Sequence, residues 1–142
     1  MLLIIGYGNT LRSDDGAGYR VAEMVAEWNL KEVRGIPCHQ LTPELAEDIA
    51  NANKVIFIDA VATTPHREIN LKPVEMGEIQ NSLGHSYNMR SLLTLSLALY
   101  GKVPPAYSLL IPAVNFDFGE QLSPVTETGI IQAMKILGSI IH

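Results

Sequence analysis

Two carboxylates stand side by side in GYGNTLRSDDGAG, residues 6–18, as Asp14 and Asp15. A third, Asp59, ends the apolar run VIFID at 55–59, and His85 stands in the polar stretch NSLGHSYN ahead of a leucine-rich segment. A carboxylate from the first stretch, Asp59 and the His85 imidazole together suit a divalent transition metal with coordination positions left open for water or substrate. Their spacing is not a local metal signature, so only a fold that gathers distant loops can make a site of them.

The glycines of the opening stretch invite a different reading, a phosphate-binding loop. A dinucleotide fingerprint requires G-x-G-x-x-G, but here Gly6 and Gly8 are followed at the sixth position by Leu11. The loop also carries Asp14 and Asp15 to the place where a pyrophosphate would rest, and carboxylates there repel phosphate. A P-loop fails because no G-K-[ST] follows the glycines. The chain as a whole argues the same way. With a formal charge of −5 and ten basic residues scattered singly, it lacks the cationic patch that non-specific nucleic-acid binding needs.

The 142 residues, 47% hydrophobic and 18% charged, suit one globular domain spanning 1–142. The single cysteine, Cys38, permits no intrachain disulfide and no cysteine-rich zinc site, and reads as a small buried apolar residue. The LLII run is too short for a signal-peptide core, and no apolar stretch reaches membrane-spanning length. A cytoplasmic protein without membrane contact is expected.

The elements that must position the polar residues follow from two alternating hydrophobic periods. Leu2–Ile5 reads as a buried strand; Val21, Met24, Val25 and Trp28 then recur at helical spacing, with Ser13 as a candidate N-cap and Asp14 as a helix-start residue. Val33–Cys38 is a second strand, and QLTPELAEDIANAN a loop and short helix with Thr42 as N-cap and Pro43 in first position. VIFID has the look of a central parallel strand, and residues 69–76 that of an edge strand tolerating Pro73.

MRSLLTLSLALYG is expected to be a core helix ended by Gly101, and 106–114 a further strand. From Pro124 to His142, Ile130, Met134, Leu137 and Ile141 share one helical face. Tyr7 and Met89 read as packing residues, His66 as a turn residue and His142 as a frayed terminus. Strands alternating with helices predict an α/β fold, a three-layer α/β/α sandwich around a mostly parallel, five-stranded twisted sheet. Ligands of such sheets collect at the carboxyl ends of the strands.

GYGNTLRSDDGAG, VIFIDA and the glycine–histidine pair of LGHS resemble the hydrogenase maturation endopeptidases, processing enzymes for the large subunit of nickel–iron hydrogenases. The resemblance runs from the first strand to the last helix. It implies a metal-recognition site made of Asp15, Asp59 and His85. It further implies that the protein removes a C-terminal extension from the large-subunit precursor after nickel insertion. Nickel carried by the substrate is then the recognition element, and the enzyme, a monomer when free, needs no tightly bound metal of its own. Many members carry an Asp-Gly pair after the second strand, where this chain has Cys38-His39-Gln40-Leu41-Thr42. His39 and Asn9 are candidates for holding substrate.

Peptide hydrolysis here has no conventional nucleophile. Ser86 is adjacent to His85 and so poorly placed for base-assisted attack, and the G-x-S-x-G elbow is absent. Water is the expected nucleophile, activated on a metal or by Asp15 or Asp59 as general base. Two rivals share the same residues: a non-hydrolytic, nickel-recognising chaperone of the large subunit, and a related peptidase that cuts another precursor.

Overall fold

The two hydrophobic periods become the strands and helices of one sheet-centred architecture in the computed structural model, which describes residues 1–62, 68–78 and 87–141. The strands are β1 (Leu2–Tyr7), β2 (Val33–Cys38), β3 (Lys54–Ala62), β4 (Leu71–Pro73) and β5 (Ala106–Ala113). The helices are α1 (Ala17–Glu27), α2 (Leu45–Ala50), α3 (Met89–Tyr100) and α4 (Pro124–Ile141). Sheet order is β2-β1-β3-β5-β4, parallel throughout except for the short edge strand β4, which runs antiparallel to β5. Pro73 sits on that edge, where its missing N–H costs no ladder bond.

Strand side chains alternate between two cores, which is why the central strands are apolar on both faces. Leu3, Ile5, Val55 and Phe57 pack with Leu45, Ile49, Leu92 and Leu93 of α2 and α3. Ile4, Ile56, Ile58, Leu109 and Ile111 pack with Val21, Val25, Ile130 and Leu137 of α1 and α4. The result is the expected α/β/α sandwich. The chain leaves β1 on one face to reach β2 and returns across the other face to β3, so β1 and β3 flank the point where strand order reverses. In open parallel sheets that point leaves a crevice at the carboxyl ends.

Helix boundaries depart from the sequence reading in two places. Ser13 does not cap α1: it lies at φ 52 at the start of a 3-10 turn, Ser13–Gly16, and its hydroxyl donates to the carbonyl of Asp117 at 2.7 Å. The helix proper begins at Ala17. Likewise α2 starts at Leu45, because Thr42 and Pro43 form a preceding turn whose carbonyls accept from the Leu45 and Ala46 N–H groups. At α3 the local signals are self-sufficient. Asn88 and Ser91 make a reciprocal capping box, and Gly101 closes the helix in the left-handed region.

The buried stripe of α1 is narrower than its hydrophobicity suggested. Val21 and Val25 are buried, but Met24 and Trp28 are 40% and 36% exposed. Gly6 and Gly18 explain this, since a Cβ on Gly6 would stand 1.9 Å from the Gly18 carbonyl oxygen. The helix therefore lies so close to the sheet that only its small, central residues fit beneath it. On α3, Leu92 and Leu93 are buried, whereas Leu97, Leu99 and Tyr100 face outward, so that helix is less wholly a core element than its composition implied. Among the described residues no helix is long and apolar enough to cross a membrane.

Candidate active site

The last register pair between β1 and β3 is Gly6 with Ile58. One residue further along each strand come Tyr7 and Asp59, which continue the Leu3–Ile5 and Val55–Phe57 parity and so face the α2/α3 side. Asp59 does not terminate its strand, as the sequence suggested. β3 runs on to Ala62, paired with β5 through the Ala62–Ala113 register. What ends at Asp59 is the cover from β1, and that leaves the carboxylate at the crevice.

Asp15 reaches the same edge from the 3-10 turn that follows β1. The turn is shaped by Gly8, at φ +147, where a Cβ would stand 1.9 Å from the Asp15 carbonyl oxygen. No residue but glycine fits there. The Asp15 carboxylate accepts the Asn9 N–H at 2.8 Å, and the Asp15 N–H donates to the Arg12 carbonyl at 3.1 Å. Asn9 itself is exposed, and its side-chain oxygen accepts the Leu11 N–H at 2.9 Å, holding the turn together.

Electrostatics distinguish Asp59 from an ordinary strand carboxylate. Burial pushes its pKa up to about 6, and the charge of neighbouring Asp15 adds to the shift. The neighbouring Tyr7 hydroxyl and the Ala60 N–H, which donates at 2.8 Å, oppose it without cancelling it. The Tyr7 phenol is pushed well above its usual range, first by its own burial and then by Asp59. Two carboxylates that feel each other's charge form a site that either a proton or a cation relieves.

Asp14, one residue before Asp15, points the opposite way. It is fully buried, and its carboxylate accepts from the backbone N–H of Val114, Asn115 and Ser123 and from the Ser123 hydroxyl, all at 2.8–2.9 Å. Burial alone would raise its pKa, but these donors outweigh it and hold the carboxyl below the usual range. Asp14 is thus not a helix-start residue acting on the helix dipole. It clamps the β5–α4 connection onto the 3-10 turn.

The Cys38–Thr42 segment leaves the end of β2 beside this region. The His39 ring stacks on Tyr19, with centroids 5.3 Å apart and planes 21° apart. Cys38 is half-buried rather than fully buried, and burial pushes its thiol up, away from a reactive thiolate. His66, His85, Ser86 and His142 lie outside the described residues. Among the described residues no three His, Cys, Asp or Glu side chains are grouped to hold a metal ion. The sequence reading missed Tyr7 as a site residue. The signal that could have found it was its parity with Leu3 and Ile5 at the end of a strand adjacent to the one bearing Asp59.

A mostly parallel five-stranded sheet flanked by helices is the fold that this chain shares with solved hydrogenase maturation proteases. The chain superposes on the hydrogenase maturating endopeptidase HybD from E. coli with a TM-score of 0.74 and 20% identity, covering 96% of this chain and 88% of that one. It is similar to the same degree to the [NiFe] hydrogenase maturation protease HybD from Thermococcus kodakarensis, with a TM-score of 0.73, 23% identity, and 98% and 97% of the two chains covered. A hydrogenase 2 maturation peptidase from a Thaumarchaeota archaeon gives a TM-score of 0.71 at 22% identity, covering 99% and 97%. At these identities the likeness is one of fold. No protein-family model matches the chain, and no curated protein sequence does.

Proposed function

We propose that this protein is an endopeptidase that removes the C-terminal extension of a nickel–iron hydrogenase large-subunit precursor after nickel has been inserted. The observation that carries the reading is the Asp15–Asp59 pair at the switch point of a maturation-protease fold, with Asp59 pushed up to about 6. A carboxylate of that proton affinity is half-ionised at about pH 6 and largely ionised at neutral pH, the state a general base needs.

In this reading the substrate's nickel is part of the substrate, and Asp15 and Asp59 are the oxygen donors that meet it. His85 is the third donor that the family resemblance implies. When bound, such an ion supplies charge neutralisation and Lewis acidity near the scissile carbonyl. Asp15 is held for this by the Asn9 N–H, and Asp59 by the Ala60 N–H and the Tyr7 hydroxyl. Whichever of the two carboxylates the ion leaves free would take the proton of the attacking water and return it to the leaving amine. The reading includes a cytoplasmic location for the reaction.

A mass spectrum of the precursor, nickel-loaded and nickel-free, after incubation with the protein tests the proposal. One C-terminal truncation confined to the nickel-loaded form is expected. Truncation of both forms would remove nickel from the recognition step, and truncation of neither, with an intact loaded precursor, would overturn the peptidase reading.

A further inference from the structure

The site's immediate neighbour is a loop that holds an aromatic side chain out in solvent. Phe118 is 88% exposed, and Leu11, alongside it, is 48% exposed. Arg12 and Gly119 form a parallel bridge, which sets Leu11 and Phe118, each one residue earlier, next to each other. The backbone on both sides is pinned. The Gly119 N–H donates to the Leu11 carbonyl at 2.8 Å, the Ser13 N–H to the Gly119 carbonyl at 2.7 Å, and the Ser13 hydroxyl to the Asp117 carbonyl at 2.7 Å. The Asp14 clamp secures the base of the same loop at Val114, Asn115 and Ser123. An apolar side chain held outward by so many bonds is presented, not merely left over, because a loop free to relax would turn it inward.

We propose that Leu11 and Phe118 form the docking surface that holds the folded body of the protein substrate while its extension lies at Asp15 and Asp59. The argument for this occupant, which rests on the proposed function, is continuity. Leu11 and Arg12 belong to the same hydrogen-bonded turn as Asp15, and the Phe118 loop leaves the carboxyl end of β5 beside that of β3, so both lie on the sheet edge that the substrate must approach. Charge supplies a second element. The Arg12 guanidinium lies 5.9 Å from the Phe116 ring centre and has no carboxylate partner among the described residues. The matching surface is an apolar patch bordered by a carboxylate.

The test compares wild type with Phe118→Ser, Leu11→Ser and, as an exposed apolar control near the end of α3, Leu99→Ser. Precursor cleavage is measured across substrate concentration, with thermal melting to confirm equal folding. Phe118→Ser and Leu11→Ser are expected to raise KM at least tenfold with kcat within twofold, and Leu99→Ser to change neither. Unchanged KM in the two rim variants overturns the docking surface. If wild type binds the nickel-loaded precursor without cutting it, the peptidase reading fails separately. Docking is then decided by equilibrium binding, where a tenfold weaker Phe118→Ser supports it and equal affinity overturns it. A wild-type chain that neither binds nor cuts the precursor overturns it as well.

Discussion

Asp14 and Asp59 are both withdrawn from water, yet the protein drives their proton affinities in opposite directions. Asp14 is surrounded by three backbone N–H groups and a hydroxyl, and these donors more than compensate for burial. Asp59 has one backbone donor, one phenol and the charge of Asp15 close by, so burial prevails and its pKa rises to about 6. The difference is one of donor supply. A carboxylate fully solvated by protein donors is stable and inert, suited to tying a loop to a turn. An under-supplied one retains affinity for a proton or a cation, which is what chemistry at that position requires.

The largest expected effect is on activity. Asp59→Asn should lower precursor processing by about 10²–10⁴-fold, the range associated with losing a general base. The same substitution should make the protein more stable at pH 8, by about 1–3 kcal/mol, because it removes a charge that the fold does not fully support. The sign in wild type follows from linkage. A raised native pKa means the folded state holds the proton more tightly, so stability falls as pH rises from about 4 through about 6. That slope should flatten in Asp59→Asn, and an Asp59→Asn chain that melts below wild type at pH 8 would break the comparison.

Gly8→Ala should come next, losing both stability and processing. Its Cβ would collide with the Asp15 carbonyl in a backbone conformation that alanine resists. Retained processing by a well-folded Gly8→Ala chain would show that the turn does not set Asp15. Asp14→Asn should cost about 2–4 kcal/mol at pH 7, measured by denaturant unfolding, since an amide cannot satisfy the same four donors. Asp14's contribution is present above the ordinary carboxylate range and lost as pH falls through its lowered native value, so the gap to wild type should close in acid. Whatever Asp14→Asn protein remains folded should still process precursor.

The smallest effect is reserved for Tyr7→Phe. Removing the phenol takes away a donor that favours ionised Asp59, so the acid limb of the pH–rate profile should move to higher pH, with stability changed by about 1 kcal/mol or less. An unmoved limb would mean that Asp59 does not govern it.

Much of the architecture is carried by local pattern. Apolar runs at Leu2–Ile5 and 55–59, helical spacing at Val21 and Val25, and Gly101 after a leucine-rich helix each act over a few residues, and the structure follows them. The failures share a cause, which is sequence distance. Ser13 resembles an N-cap, but its partner is the carbonyl of Asp117, and the groups that hold Asp14 begin a hundred residues further along. Met24 and Trp28 fit the apolar face by periodicity, and only the close seat of α1 on glycine leaves them outside.

The candidate site shows the same division. Residue type and position made the Asp14–Asp15 pair and Asp59 candidates, because carboxylates beside a glycine turn and at a strand's end suit the mouth of a parallel sheet, and the family resemblance singled out Asp15. That Asp14 is spent on the β5–α4 connection, and that Tyr7 stands beside Asp59, was decided only by tertiary structure. A one-residue step around a 3-10 turn reverses the direction of a side chain, and strand register sets which side chains become neighbours. Neither quantity has a local sequence signature, since both depend on how the turn docks against β3 and the β5–α4 connection.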